Sequence, residues 1–190
     1  YVESIPLRER KPKTQISAIA ARPDYRILLL KRGVAVIGFS ILFTPTHESF
    51  GLLEYMAVQA ACRNSGLGGK LFRRTFLDVA TGARDVHGLL EVDSDREPSA
   101  DQEIRRRRQR FYRRLGCLRI DGLAYLLPLA GEGPPPRMDL MVYRPDHSPV
   151  SRQQLERWLK VIYNKVYDCS PDDPRIADMM KAIGDPVKLA

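Results

Sequence analysis

The chain has 190 residues and 21.6 kDa, with 44% hydrophobic and 28% charged residues, which suits one globular domain with an appended segment and excludes a chain dominated by disorder. A formal charge of +8 and a pI of 9.6 favour an anionic partner, and a phosphorylated co-substrate, nucleic acid and a lipid surface all qualify. Cys62, Cys117 and Cys169 lack CxxC spacing and argue against a zinc cluster or disulfide framework, and neither a membrane-spanning apolar run nor a signal-peptide core is present, so a cytoplasmic, soluble protein without a metal is expected.

In chain order, residues 3–13 are polar and basic, and TQISAIAAR at 14–22 suits a short helix before the turn pair Pro23-Asp24. YRILLL from Tyr25 and VAVIGFSILF up to Phe43, joined at Lys31-Arg32-Gly33, predict a hairpin. GLLEYMAV, bounded by Gly51, is short and apolar, as a buried central strand should be. It leads into ACRNSGLGGKLF, and LGGKLFRRTFLDVA at 67–80 then sets Leu67, Leu71, Phe72 and Phe76 near one helical face. The predicted order is strand, glycine turn, helix.

GLLEVD at 88–93 predicts the next strand, DSDREPSADQE an acidic linker, and EIRRRRQRFYRRLG a helix closed by Gly116. LAYLLPL and MDLMVY predict two more strands on either side of the stiff GEGPPPR connection. Ser151 and Gln154 have capping-box spacing ahead of Leu155, Leu159, Ile162 and Val166, which share a helical face, while 169–190 carries no decisive pattern. The expected organisation is one domain over 1–150, with a strand–helix core at about 25–145, and a C-terminal helical extension over 151–190 packed on the same domain.

The glycine turn carries the clearest chemistry. In Arg63-Asn64-Ser65-Gly66-Leu67-Gly68 the glycines allow a tight bend, and the helix that follows opens with unpaired N–H groups and the positive end of its dipole, both suited to phosphate oxygens. Arg63 adds a full charge. Neither GxxxxGK[ST] nor GxGxxG is present, so this is a different phosphate turn.

LEYMAVQAACRNSGLGGKLF resembles the acyl-CoA-binding motif of the GNAT superfamily, in which a strand precedes [RQ]xxGx[GA] and a helix follows; Arg63, Gly66 and Gly68 match. FYRRLG at 111–116 resembles the superfamily's FYxxxGF, with Cys117 in place of the final aromatic. RPDYR before this core and PPPRMDLMVY after it are similar to a bacterial stand-alone GNAT group. The resemblance implies an α/β GNAT fold, a mixed central sheet flanked by helices, here with an extra C-terminal helical segment. It implies an N-acyltransferase that moves an acyl group, acetyl above all, from acyl-CoA to a small-molecule amine.

By the same resemblance, Arg63, Asn64, Ser65, Gly66, Leu67, Gly68 and Gly69 would hold the pyrophosphate. Backbone groups of Met56, Ala57 and Val58 would pair with the pantetheine arm and polarise the thioester carbonyl. Tyr112 would protonate the departing thiolate, its ordinary alternative being core packing beside Phe111. A base is still needed, and Glu54 on the central strand comes first, followed by Glu91 on the next strand; each has a structural role as its alternative. His47, His87 and His147 are scattered and receive no role.

The basic helix departs from the family pattern. Between Asp101 and Arg119, eight arginines oppose Asp101 and Glu103 for a local charge of +6. Four in succession, Arg105, Arg106, Arg107 and Arg108, cover every side of a helix, so at least one must face the core or a ligand. Many GNAT enzymes carry Asn and Ala at the positions of Arg105 and Arg108. These four are candidate contacts to coenzyme A phosphates or to an RNA backbone. The second option makes a tRNA-dependent acyl or aminoacyl transferase the alternative function, and a solvated, ion-paired helix is the third reading.

Overall fold

The computed structural model describes residues 1, 5, 10–80, 86–128, 137–144 and 148–190, with the side chains of 78–80 set aside. They form two compact units, Tyr1–Val86 and His87–Ala190.

The first unit contains helix α1 (Lys13–Ala21), strands β1 (Tyr25–Arg32), β2 (Ala35–Phe43) and β3 (Phe50–Val58), a 3-10 turn at Ala60–Cys62, and helix α2 (Leu67–Ala80). The β1–β2 and β2–β3 pairs are antiparallel. The hairpin turns at Gly33, whose φ of 59° is readily adopted only without a Cβ. Leu71, Phe72 and Phe76 of α2 are buried, as are Ile41, Leu42, Phe43, Leu52 and Leu53 of the strands. Each such side chain contributes roughly 1.5–3 kcal/mol of burial, which makes the predicted apolar stripe the driving force for docking α2. The buried Ser40 and Thr75 hydroxyls satisfy one another at 2.7 Å on the same face.

In the second unit, β4 (His87–Asp93), β5 (Cys117–Arg119) and β6 (Tyr125–Leu126) accompany β7 (Arg137–Tyr143), with helices α3 (Gln102–Arg114), α4 (Arg152–Tyr167) and α5 (Pro174–Met180). β4, β5 and β6 all pair antiparallel with β7. Ser151 caps α4, its hydroxyl accepting the Gln154 N–H at 3.1 Å, and Leu155, Leu159, Ile162 and Val166 are buried as their spacing predicts. Gly116 follows α3 at a φ of 93°.

The strand expected over LAYLLPL reduces to two residues, because Pro128 has no N–H to continue a ladder. GEGPPPR lies outside the described residues except for Arg137. The tail from 169, undecided in sequence, forms α5 and returns to the sheet, where Arg119 and Ala190 exchange backbone hydrogen bonds at 2.8 and 2.9 Å.

Candidate functional site

The register of β3 on β2 breaks at the expected base. Ile41 faces Tyr55 and Leu42 faces Leu53, so Glu54 is an extra residue on β3, a bulge of the kind that re-aims a side chain. Leu52 and Leu53 are buried, whereas Met56, Ala57 and Val58 are half-buried.

The Glu54 carboxylate is enclosed, its side chain only 4% exposed. The Tyr25 hydroxyl donates to Oε1 at 2.5 Å, and the Lys11 ammonium donates to Oε2. Burial, then the adjacent Glu54 charge, raises the Tyr25 pKa far above the usual phenol value, so Tyr25 remains a donor. Lys11 is itself held, since its backbone N–H donates to the Tyr1 hydroxyl at 2.6 Å. Neither Lys11 nor Tyr25 was among the residues the sequence singled out. Forty-three positions separate Lys11 from Glu54, and the only local signals were a basic segment and the tyrosine of RPDYR.

β3 runs through the 3-10 turn into Arg63–Gly66, where Asn64 (φ 61°) and Gly66 (φ 78°) are both left-handed. Ser65 ties the bend by donating its hydroxyl to the Cys62 carbonyl at 2.7 Å. The Lys70 N–H reaches the Gly66 carbonyl at 3.1 Å, so helix geometry leaves the N–H groups of Leu67, Gly68 and Gly69 ahead of the first intrahelical bonds. No atom lies within 4 Å of where a Gly66 side chain would begin. Exposed Arg63 uses Nε to bond the Val58 carbonyl at 3.0 Å, which pins the guanidinium between strand end and turn. An exposed turn with helix-terminal N–H groups and a fixed guanidinium fits a pyrophosphate.

In the second unit, Glu91 accepts from two phenols, that of Tyr125 at Oε1 and that of Tyr167 at Oε2, the latter at 2.5 Å. Burial foremost, then Glu91, raises the Tyr125 pKa well above the usual phenol value. Tyr112 is half-buried, with its ring 5.2 Å from that of Phe111. Burial pushes its hydroxyl up to about 12 despite the opposing influence of Arg108, so it holds its proton at neutral pH.

The four successive arginines divide. Arg105 bonds Asp101 at 2.8 Å and the Ser94 carbonyl at 3.4 Å, and Arg108 pairs with Asp93. Between them and the sheet, fully buried Gln109 donates to the Asp93 carbonyl and to Asp139, both at 3.0 Å. Arg106 and Arg107 are exposed, as are Arg113 and Arg114, and among the described residues none of these four makes an ion pair.

His87 is buried, 3.0 Å from the Ser148 hydroxyl and 5.1 Å from Trp158 between ring centroids, whereas His47 is exposed and His147 lies outside the described residues. Among the described residues no three His, Cys, Asp or Glu side chains cluster as metal ligands, and no helix is long and apolar enough to cross a membrane.

Comparison with known proteins places this architecture. A protein of Bacteroides thetaiotaomicron assigned to the GNAT family superposes with a TM-score of 0.65 at 24% identity, covering 87% of this chain and 86% of its own. An aminoglycoside 6'-N-acetyltransferase complexed with coenzyme A superposes with a TM-score of 0.52 at 16% identity over 68% and 77% of the two chains. The ribosomal-protein-S18-alanine N-acetyltransferase of Escherichia coli gives 0.52 at 15% identity over 73% and 79%. The α/β fold is therefore the GNAT fold.

Residues 23–116 match the family described as the acetyltransferase (GNAT) domain, so the chain carries a GNAT acetyltransferase domain over that segment. A search of curated proteins by sequence finds no match.

Proposed function

We propose that this protein transfers an acetyl group from acetyl-CoA to the nitrogen of a small amine by direct attack, with residues 50–80 as the core of the site. The observation that carries the reading is the uninterrupted series of bulged carboxylate, half-buried strand end, left-handed turn and helix start within one segment. A structural relative with the same fold is complexed with coenzyme A.

The co-substrate supplies an acyl group activated as a thioester. The N–H groups of Leu67, Gly68 and Gly69 take the pyrophosphate together with Arg63, and the bend at Asn64, Ser65 and Gly66 aims them. Backbone groups of Met56, Ala57 and Val58 align the arm and orient the carbonyl. Glu54 accepts the proton of the attacking amine, and Tyr25 holds the carboxylate in place. Tyr112, protonated at neutral pH, returns a proton to the leaving thiolate. Glu91, held by two phenols, has a structural role in this scheme. The family match spans residues from both units, which supports reading 23–116 as part of one acyltransferase domain.

The test is release of coenzyme A thiol from acetyl-CoA across a panel of polyamines, aminoglycosides and amino acids. Turnover with at least one amine, lost in Glu54→Gln, is the expected result; binding of acetyl-CoA without turnover on any amine contradicts it. A tRNA acceptor or donor is the second reading, supported by exposed Arg106, Arg107, Arg113 and Arg114 of α3. It requires charged tRNA to bind with a steep salt dependence that Arg106→Gln/Arg107→Gln/Arg113→Gln/Arg114→Gln flattens.

A further inference from the structure

The Lys11–Glu54 pair differs from the other lysine pairs of the described residues. Lys160–Glu156 and Lys181–Asp178 are local pairs four and three positions apart, with side chains 36–76% exposed, the kind that contributes little. Lys11 and Glu54 are 14% and 4% exposed and come from segments 43 positions apart. The ammonium donates to Oε2 while Tyr25 occupies Oε1, so one carboxylate oxygen is directed at a primary amine. The segment carrying that amine is anchored, with the Lys11 N–H on the Tyr1 hydroxyl at 2.6 Å and the Lys11 ammonium 5.9 Å from the Tyr55 ring centroid. A primary amine on the proposed base, two residues ahead of Met56, stands where an acceptor must stand.

We propose that Lys11 is a self-modification site, whose side-chain amine accepts an acetyl group from acetyl-CoA bound to the same chain. The inference rests on Glu54 acting as base. Glu54 takes one proton from the Lys11 ammonium to free the nitrogen lone pair, Nζ attacks the thioester carbonyl carbon, and the N–C bond forms as the C–S bond breaks. The amide nitrogen loses its second proton, and the sulfur leaves with one proton as the free thiol. No oxidant, reductant or further reactant is needed. Because the amine is held in place, the reaction is intramolecular, and such positioning is what raises effective concentration by orders of magnitude. The product is a neutral amide, so modification removes the ion pair with Glu54.

The experiment incubates the full chain with acetyl-CoA and no added amine, follows intact mass, and maps the modified lysine by peptide mass spectrometry. Calorimetry on the same sample measures acetyl-CoA binding. The expected result is one acetyl group, at Lys11, forming at a rate independent of protein concentration, absent in Lys11→Arg and slowed about 100-fold or more in Glu54→Gln. Acetylation spread equally over exposed Lys13, Lys31 and Lys70 is solution chemistry and overturns the proposal. Acetyl-CoA binding without modification of Lys11 overturns it while leaving the transferase reading intact. Absence of acetyl-CoA binding overturns both.

Discussion

Two glutamates that look alike in sequence are held by different chemistry. Glu54 lies in an apolar strand and Glu91 in another, GLLEYMAV and GLLEVD, and neither neighbourhood separates a base from a structural acid. In the first unit Glu54 sits at a bulge with a phenol on one oxygen and an amine on the other. In the second unit Glu91 lies in unbroken register opposite Leu140, and a phenol occupies each oxygen. The comparison teaches that surroundings, not residue type, assign the role. One partner on Glu54 is an amine, the functional group a base must deprotonate, whereas both partners on Glu91 are phenols.

The sharpest way to break the comparison is to neutralise each glutamate in turn. Glu54→Gln should lower kcat/KM for an amine acceptor by about 10²–10⁴. Glu91→Gln should leave the rate within a few-fold and instead cost about 1.5–3 kcal/mol in denaturant unfolding, as two hydrogen bonds lose a charged acceptor. A reversed pattern would make Glu91 the base.

Tyr112→Phe comes next, with an expected loss of about 10²-fold in kcat and little change in acetyl-CoA affinity. It also has a stability signature. Burial raises the folded-state pKa to about 12, above the ordinary phenol value of about 10, so the neutral phenol is favoured by folding. That contribution is complete below pH 10 and is lost as pH rises toward 12. Unfolding followed from pH 9 to 12 should fall less steeply in Tyr112→Phe than in the wild type; equal slopes would contradict the burial of this hydroxyl.

The smallest expected effect is at the turn. Gly66→Ala forces a side chain to a φ of 78° in open space, so about 1–2 kcal/mol of backbone strain is expected in unfolding, without a clash.

Much of this was legible in sequence because it depends on local pattern. The helix predicted over 67–80 is α2, the arginine helix closes at Gly116 as expected, and Ser151 caps α4. The bulge at Glu54 was not legible, since register is decided between strands and a single extra residue leaves no mark on an apolar run. Lys11 was hidden for the same reason, its partner being distant in sequence. The arginine run was half legible. Helical geometry required an inward arginine, and the Asp101–Arg105 pair is local at four residues' spacing, but it took tertiary structure to place Asp93 against Arg108.

The measurement that tests the central claim most directly is calorimetric titration of the full chain with acetyl-CoA, beside Arg63→Ala. The account predicts a single site of micromolar affinity in the wild type, weakened about tenfold in Arg63→Ala by loss of a charge-assisted contact of roughly 1.5 kcal/mol. Absence of binding, or equal affinity in the two proteins, would contradict the assignment of residues 63–69 as the phosphate site.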